Sequence, residues 1–254
     1  MNPERIGLAF VLVLFVAMLV QLEVGRRIRL RHIAEGEPGG LGAIEGALFG
    51  LLGLLLAFTF SGAAARFDNR RQQIVEEANA IGTAYLRLDV LPAEARSGLK
   101  QDFKHYLESR LAVYRALPDL TAAYAELARS DSLQQVIWRD AVAATMAAPG
   151  TQPAMLLLPA LNQMFDITTT RTATAQYHPP ILIFAMLGLL VLVGATLAGY
   201  GMGGKARSWY HSVGFALVMA ITIYVIIDLE YPRFGFIRLT AYDQVLEGLL
   251  AKMQ

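Results

Sequence analysis

Few residues of this chain stand where their type and spacing allow chemistry. The four histidines, His32, His105, His178 and His211, offer no pair at a metal-ligand spacing, and no His-Glu-x-x-His, phosphate loop or nucleophile elbow occurs. The absence of cysteine excludes disulfides, thiolate metal sites and cysteine nucleophiles. Glu76 and Glu77 are adjacent carboxylates, but neighbours on a helix point in different directions, so a solvated face is expected rather than an acid–base pair. Asp228 and Glu230 close an apolar block and fit either a cation at a membrane exit or simple capping and solvation. Thr168, Thr169, Thr170, Thr172 and Thr174 fit either a wet vestibule or a tolerant helix end, and His178, ahead of a Pro-Pro pair, reads as a boundary residue. The expectation is a protein that is not an enzyme, with no cofactor and no metal site.

The stretch that must position whatever function exists runs from Gly46 to Arg71. Its first 20 residues, to Ala65, carry no charge. At 1.5 Å per helical residue that is enough to cross a hydrocarbon core of roughly 30 Å. Beyond Arg66, Asp68, Arg70 and Arg71 the apolar residues Ile74, Ala78, Ile81, Tyr85 and Leu88 follow at spacings of three and four, the period of a one-faced helix. A membrane-crossing helix is therefore predicted to continue into a water-exposed one. Two stripes lie on its membrane half. Gly46, Gly50, Gly53, Ala57, Ser61 and Ala64 form a ribbon of small residues suited to close helix packing. Gly50, Leu54, Phe58 and Gly62 form a second line at spacing four, which fits lipid contact, packing or pore lining.

Three further apolar blocks accompany this one, at about 6–24, 180–202 and 209–227, and together they account for a hydrophobic content of 55% and a mean hydropathy of +0.44. The first is followed by Arg26, Arg27, Arg29 and Arg31 and lacks the flanks of a cleaved signal, so a retained helix is expected. Gly36 to Gly42 reads as a flexible break, and Lys205 and Arg207 mark a second short hairpin. Between the second and third blocks the chain reads as helical: one helix after Pro92, one from Pro118–Asp119 with a candidate interruption at Ser130 to Ser132, and one from Pro153 to about Gln176. A last amphipathic piece spans Tyr242 to Met253. The expected fold is all-α: an integral, multi-pass membrane protein with four transmembrane helices and a helical extramembrane domain between the second and third. The expected parts are 1–65, 66–177, 178–228 and 229–254. A net charge of +1, with no basic run interleaved with aromatics, gives no reason to expect a nucleic-acid partner.

The residues Phe58 to Arg71 (FTFSGAAARFDNRR) resemble the hallmark of bacterial bestrophin-type membrane proteins. In that hallmark a Phe near the end of the second membrane helix precedes an Arg-aromatic pair by eight residues, here Phe58 with Arg66 and Phe67, and another Arg follows, here Arg70 or Arg71. The run from Ile74 to Pro92 is similar to an uncharacterised family called bestrophin-like, as is Pro232-Arg233-Phe234-Gly235 after the fourth helix. The resemblance implies a homopentameric, chloride-type anion channel of the bacterial inner membrane, with lipid, anions and further copies of itself as partners. It also implies a hydrophobic neck contributed by Gly50, Leu54 and Phe58. Gly50 departs from the bulky residue of that pattern, and the family's usual second aromatic is replaced here by Asp68. The alternative is a non-conducting membrane scaffold or sensor that couples the bilayer to a helical soluble domain. On orientation, the basic hairpins place themselves in the cytoplasm and the helical domain outside, whereas the resemblance implies a cytoplasmic helical domain.

Overall fold

The computed structural model describes residues 3–34, 42–203 and 208–253. The part of the first break from Gly36 to Leu41, and the hairpin of Lys205 and Arg207, lie outside these. Every regular element among the described residues is helical: α1 (Pro3–Ala34), α2 (Gly42–Arg87), α3 (Ala93–Arg115), α4 (Leu120–Ala147), α5 (Gln152–Gln176), α6 (Ile181–Gly201), α7 (Trp209–Glu230) and α8 (Thr240–Lys252), with a short 3-10 turn at Leu88–Val90. Four of the helices are long and apolar enough to cross a membrane. Helix α2 is unbroken for 46 residues, as its uninterrupted period and the absence of proline require.

The helices fall into two compact units. One comprises Met1–Phe67 with His178–Phe236, the other Asp68–Tyr177 with Ile237–Gln254. The first is built from α1, the apolar half of α2, α6 and α7. Its core takes Leu14, Met18 and Leu22 from α1, Leu52 from α2, Val191 and Ala195 from α6, and Ala216 and Ile223 from α7. The closest approach within it is between α1 and α6. A Cβ at Gly25 would collide with the Thr196 carbonyl, and one at Gly199 with the Leu22 carbonyl. Only glycine lets the two backbones lie in contact there.

The second unit packs the polar half of α2 with α3, α4, α5 and α8. Ile74 and Ile81 of α2, Phe103 and Leu107 of α3, Ile137 of α4 and Leu161 of α5 are fully buried. Asp119 caps α4, its carboxylate accepting the Ala122 N–H at 3.1 Å. Helix α4 runs without the interruption anticipated at Ser130 to Ser132. Ser130 satisfies its hydroxyl within the helix by donating to the Glu126 carbonyl at 3.1 Å, and it lies 2.9 Å from the Ser109 hydroxyl of α3. A serine that bonds back to its own helix does not break it.

Candidate functional site: the open face of α2 and two buried ion clusters

On the apolar half of α2 one face is turned inward and one is left open. Leu52 and Ala63 are buried, and Phe49, Leu55 and Leu56 pack against the core of their unit. The residues anticipated as neck or packing ribbon lie on the other side, except Ala64, which is half-buried. Leu54 is 53% and Phe58 67% exposed, and Gly46, Gly50, Gly53, Ala57 and Ser61 are exposed with them. A Cβ added at Gly46, Gly50 or Gly53 would meet nothing within 4 Å. The two stripes thus form one broad surface on which the chain's own helices do not sit.

At the end of this apolar segment the motif residues converge. Arg66 donates from Nε to Glu230 Oε1 at 2.7 Å, with a second contact from its terminal nitrogen. Glu230 is 1% exposed, and its other oxygen lies 3.6 Å from His178 Nδ1. His178 in turn stacks on Tyr231, with ring centroids 4.5 Å apart. Two residues before Glu230, Asp228 is also buried, and its Oδ1 accepts the Phe236 N–H at 3.0 Å. Gly235 lies so close to that carboxylate that a Cβ would overlap it. These contacts correct the expectation of capping and solvation for the two acids: one binds the loop that carries Pro232 and Phe234, the other binds Arg66. Pro232 is buried, Phe234 and Phe67 are half-buried, and Arg70 donates to the Tyr177 carbonyl at 2.8 Å.

The second cluster corrects the reading of Glu77 as part of a solvated face. Glu77 is fully buried, Arg110 Nε lies 2.6 Å from its Oε1, and Arg171 donates to its other oxygen. Arg110 also donates to the Tyr114 hydroxyl at 2.8 Å, and Arg171 lies over the Tyr114 ring, 3.9 Å from its centroid. Asp243 of α8 adds a carboxylate 3.5 Å from Arg171. Burial alone would raise the Glu77 pKa, but the two guanidinium charges and their hydrogen bonds outweigh it and hold the carboxyl below its ordinary value. Burial disfavours charge on Arg110 too, and the surrounding Tyr114, Glu77 and Tyr106 reverse this and raise its pKa. Tyr106, whose hydroxyl meets that of Thr168 at 2.8 Å, is pushed up to about 12 by burial. Glu76, by contrast, is exposed as expected. The sequence held a signal for Glu77 that was missed: it lies three residues after Ile74 and four before Ile81, on the buried face itself. The buried Thr168 and Thr174 likewise belong to the core, Thr174 taking a hydrogen bond from Gln73 at 3.1 Å. Among the described residues, no group of three or more His, Asp or Glu is placed to hold a metal ion.

The profile of the Bestrophin-like domain matches residues 7–241. The chain belongs to the bestrophin-like family. Among solved structures, a single-residue variant of a bacterial bestrophin homologue from Klebsiella pneumoniae has a TM-score of 0.74 at 16% identity, covering 95% of this chain and 99% of that one. A second variant has a TM-score of 0.75 at 16% identity and covers 97% of each chain. The structure of that homologue phased on zinc has a TM-score of 0.73 at 17% identity, covering 95% of this chain and 97% of that one. At such identities the likeness is one of fold. No curated protein matches the sequence.

Proposed function

We propose that copies of this bestrophin-like membrane protein assemble around the open face of α2 as a homopentamer in the bacterial inner membrane, and that this face lines an ion-conducting pore. The observation that carries the reading is the exposure of Gly50, Leu54 and Phe58 together with Gly46, Gly53, Ala57 and Ser61. A helix with only 6% of its apolar window buried within the chain calls for partners beyond the chain. Facing lipid alone would explain Leu54 and Phe58, but a broad run of small residues beside them suits close approach of further helices. Leu54 and Phe58 then form a dry neck. An ion there loses its hydration with nothing to replace it, so the neck gates by dewetting. The permeant class implied by the resemblance is a chloride-type anion. Neither neck side chain carries a charge that would choose a sign.

The test is salt flux from liposomes. Replacing Leu54→Ala and Phe58→Ala together widens and wets the neck and raises flux without dispersing the oligomer, whereas Gly53→Leu obstructs close approach and disturbs assembly. A pentameric preparation whose Leu54→Ala/Phe58→Ala variant passes neither chloride nor potassium above empty liposomes would overturn the channel reading. A monomer or dimer on sizing in detergent would favour the scaffold or sensor reading, for which the unbroken α2 is the mechanical link.

A further inference from the structure

The face of α2 that its own chain leaves open does not stop at the apolar block. After Phe58 come Ser61, Ala65, Asn69, Gln72, Glu76, Asn79 and Thr83, each exposed, at steps of three or four residues. The interval from Phe58 to Glu76 is 18 residues, or about five turns at 3.6 residues per turn. On an unbroken helix the two side chains share a register position. The stripe changes character along its length, apolar through Phe58, small through Ala65, then built of amides, a hydroxyl and one carboxylate.

Glu76 is the charged member of that stripe. Its Oε1 accepts a hydrogen bond from Gln72, a neutral partner, at 2.7 Å. It also borders a cleft of about 510 Å³ whose other polar lining residues are Asn162, Gln163, Asp166 and Thr170 of α5, beside the apolar Ala80, Pro159 and Ile167, and none of the lining residues is basic. The nearest cations on α2 are engaged elsewhere. Arg71 pairs with Asp68 and lies over the Tyr242 ring, and Arg87, about three turns beyond Glu76, donates to the Leu156 carbonyl.

We infer that Glu76 sets the charge preference of the pore, and sets it for cations over anions. The inference rests on the proposal that the open face of α2 lines the pathway. Repeated around the axis by each copy, Glu76 forms a ring of carboxylates, the arrangement by which cation pores concentrate cations and exclude anions. A confined vestibule focuses the potential of such a ring, and charges within about 8–10 Å of the ring act on an ion before salt screens them. The amides and hydroxyl beside it hydrate either sign and leave the choice to the carboxylate. This is opposite in sign to the anion preference implied by the resemblance.

The experiment is the reversal potential of the reconstituted full-length protein in planar bilayers under a KCl gradient. It is recorded for the wild type and, so that a closed neck does not silence the measurement, for the Leu54→Ala/Phe58→Ala variant. Each is compared with the same protein carrying Glu76→Gln or Glu76→Lys. The expected result is a potassium-selective reversal potential that Glu76→Gln moves toward zero, lowering the potassium-to-chloride ratio several-fold, and that Glu76→Lys carries to the chloride side. Currents that are chloride-selective, or whose reversal potential ignores both substitutions, overturn the inference and leave the pore standing. Absence of current from the wild type and the widened neck alike overturns the pore and the inference with it.

Discussion

Glu77 and Glu230 are both glutamates shut away from solvent against arginine, yet they are built for different ends. The ion pairs of Glu77 are closed: Glu77 and Arg110 are 0% and Arg171 6% exposed at the side chain, and the three come from α2, α3 and α5. Around Glu230 the carboxylate is buried, but Arg66 is 33% and His178 30% exposed. A charge pair with no access to water is a fixed fastener, because separating it strands a charge in a poor solvent. A pair with one partner at the surface can be loosened more cheaply, since water takes over the exposed ion. The lesson is that Arg66 of the Phe58–Arg71 hallmark belongs to the yielding cluster, whereas the rigid one joins Glu77, from the run after that hallmark, to Arg110 and Arg171.

The largest effect is expected at the closed cluster. Glu77→Ala leaves Arg110 and Arg171 facing each other and should lower stability by about 3–5 kcal/mol, read from thermal or denaturant unfolding of helical signal in detergent. Because the folded Glu77 titrates below its ordinary value, its stabilisation is present above the unfolded value of 4.5 and is lost as pH falls through the lowered folded value. Glu77→Gln should abolish that part of the acid slope. A shallow loss in Glu77→Ala, under about 1 kcal/mol, would mean the cluster is wetter than its burial indicates.

Alkaline titration sharpens the same contrast. Tyr106 keeps its proton to about 12 against an ordinary 10.0. Stability should hold below pH 10, then fall by about 2–3 kcal/mol as the pH rises through 12, because the unfolded chain releases a proton that the folded one retains. Tyr106→Phe should flatten that fall. A phenol that titrates at its ordinary value by ultraviolet absorbance would break the idea of a sealed interior.

Smaller effects are expected at the half-open cluster. Glu230→Gln should destabilise by about 1–2 kcal/mol, less than a sealed pair because water screens Arg66. Smallest is His178→Ala, which removes the stack on Tyr231 and should lower stability by about 0.5–1.5 kcal/mol, with His178→Phe restoring most of it. If His178→Ala proved costlier than Glu77→Ala, the ranking of the two clusters would be inverted.

The all-α class and the four apolar helices were legible because hydropathy and the 3.6-residue period are local properties, carried within single segments such as Gly46 to Ala65. The continuity of α2 was legible for the same reason. What the sequence did not disclose depends on segments that are distant in the chain. Arg66 and Glu230 are separated by 164 residues, and Glu77 and Arg171 by 94, and no period connects such pairs. The tightest backbone contact was half visible. Gly199 lies inside a recognisable apolar block, while its counterpart Gly25 is hidden between Glu23 and the arginines that follow it. The line of Leu54 and Phe58 was visible as a stripe, but a period alone cannot tell lipid from pore.

The crossing of α1 on α6 has a consequence for synthesis. Helix α1 ends at Ala34, and α6, whose Gly199 receives it, begins only at Ile181. At about 5–20 residues per second, roughly ten seconds or more pass before the ribosome delivers that partner. During the wait α1 is solvated by acyl chains, which are as apolar as its eventual neighbours and let an inserted helix persist alone. The helices of the other unit emerge in the same interval, α2 through α5 in order, and only α8 arrives after α7. Most of that unit is therefore available to fold while α1 is still unpartnered. A nascent chain arrested just before Ile181 should hold α1 inserted with its Gly25 face still against lipid, and release of the next twenty or so residues should be the step that fixes it.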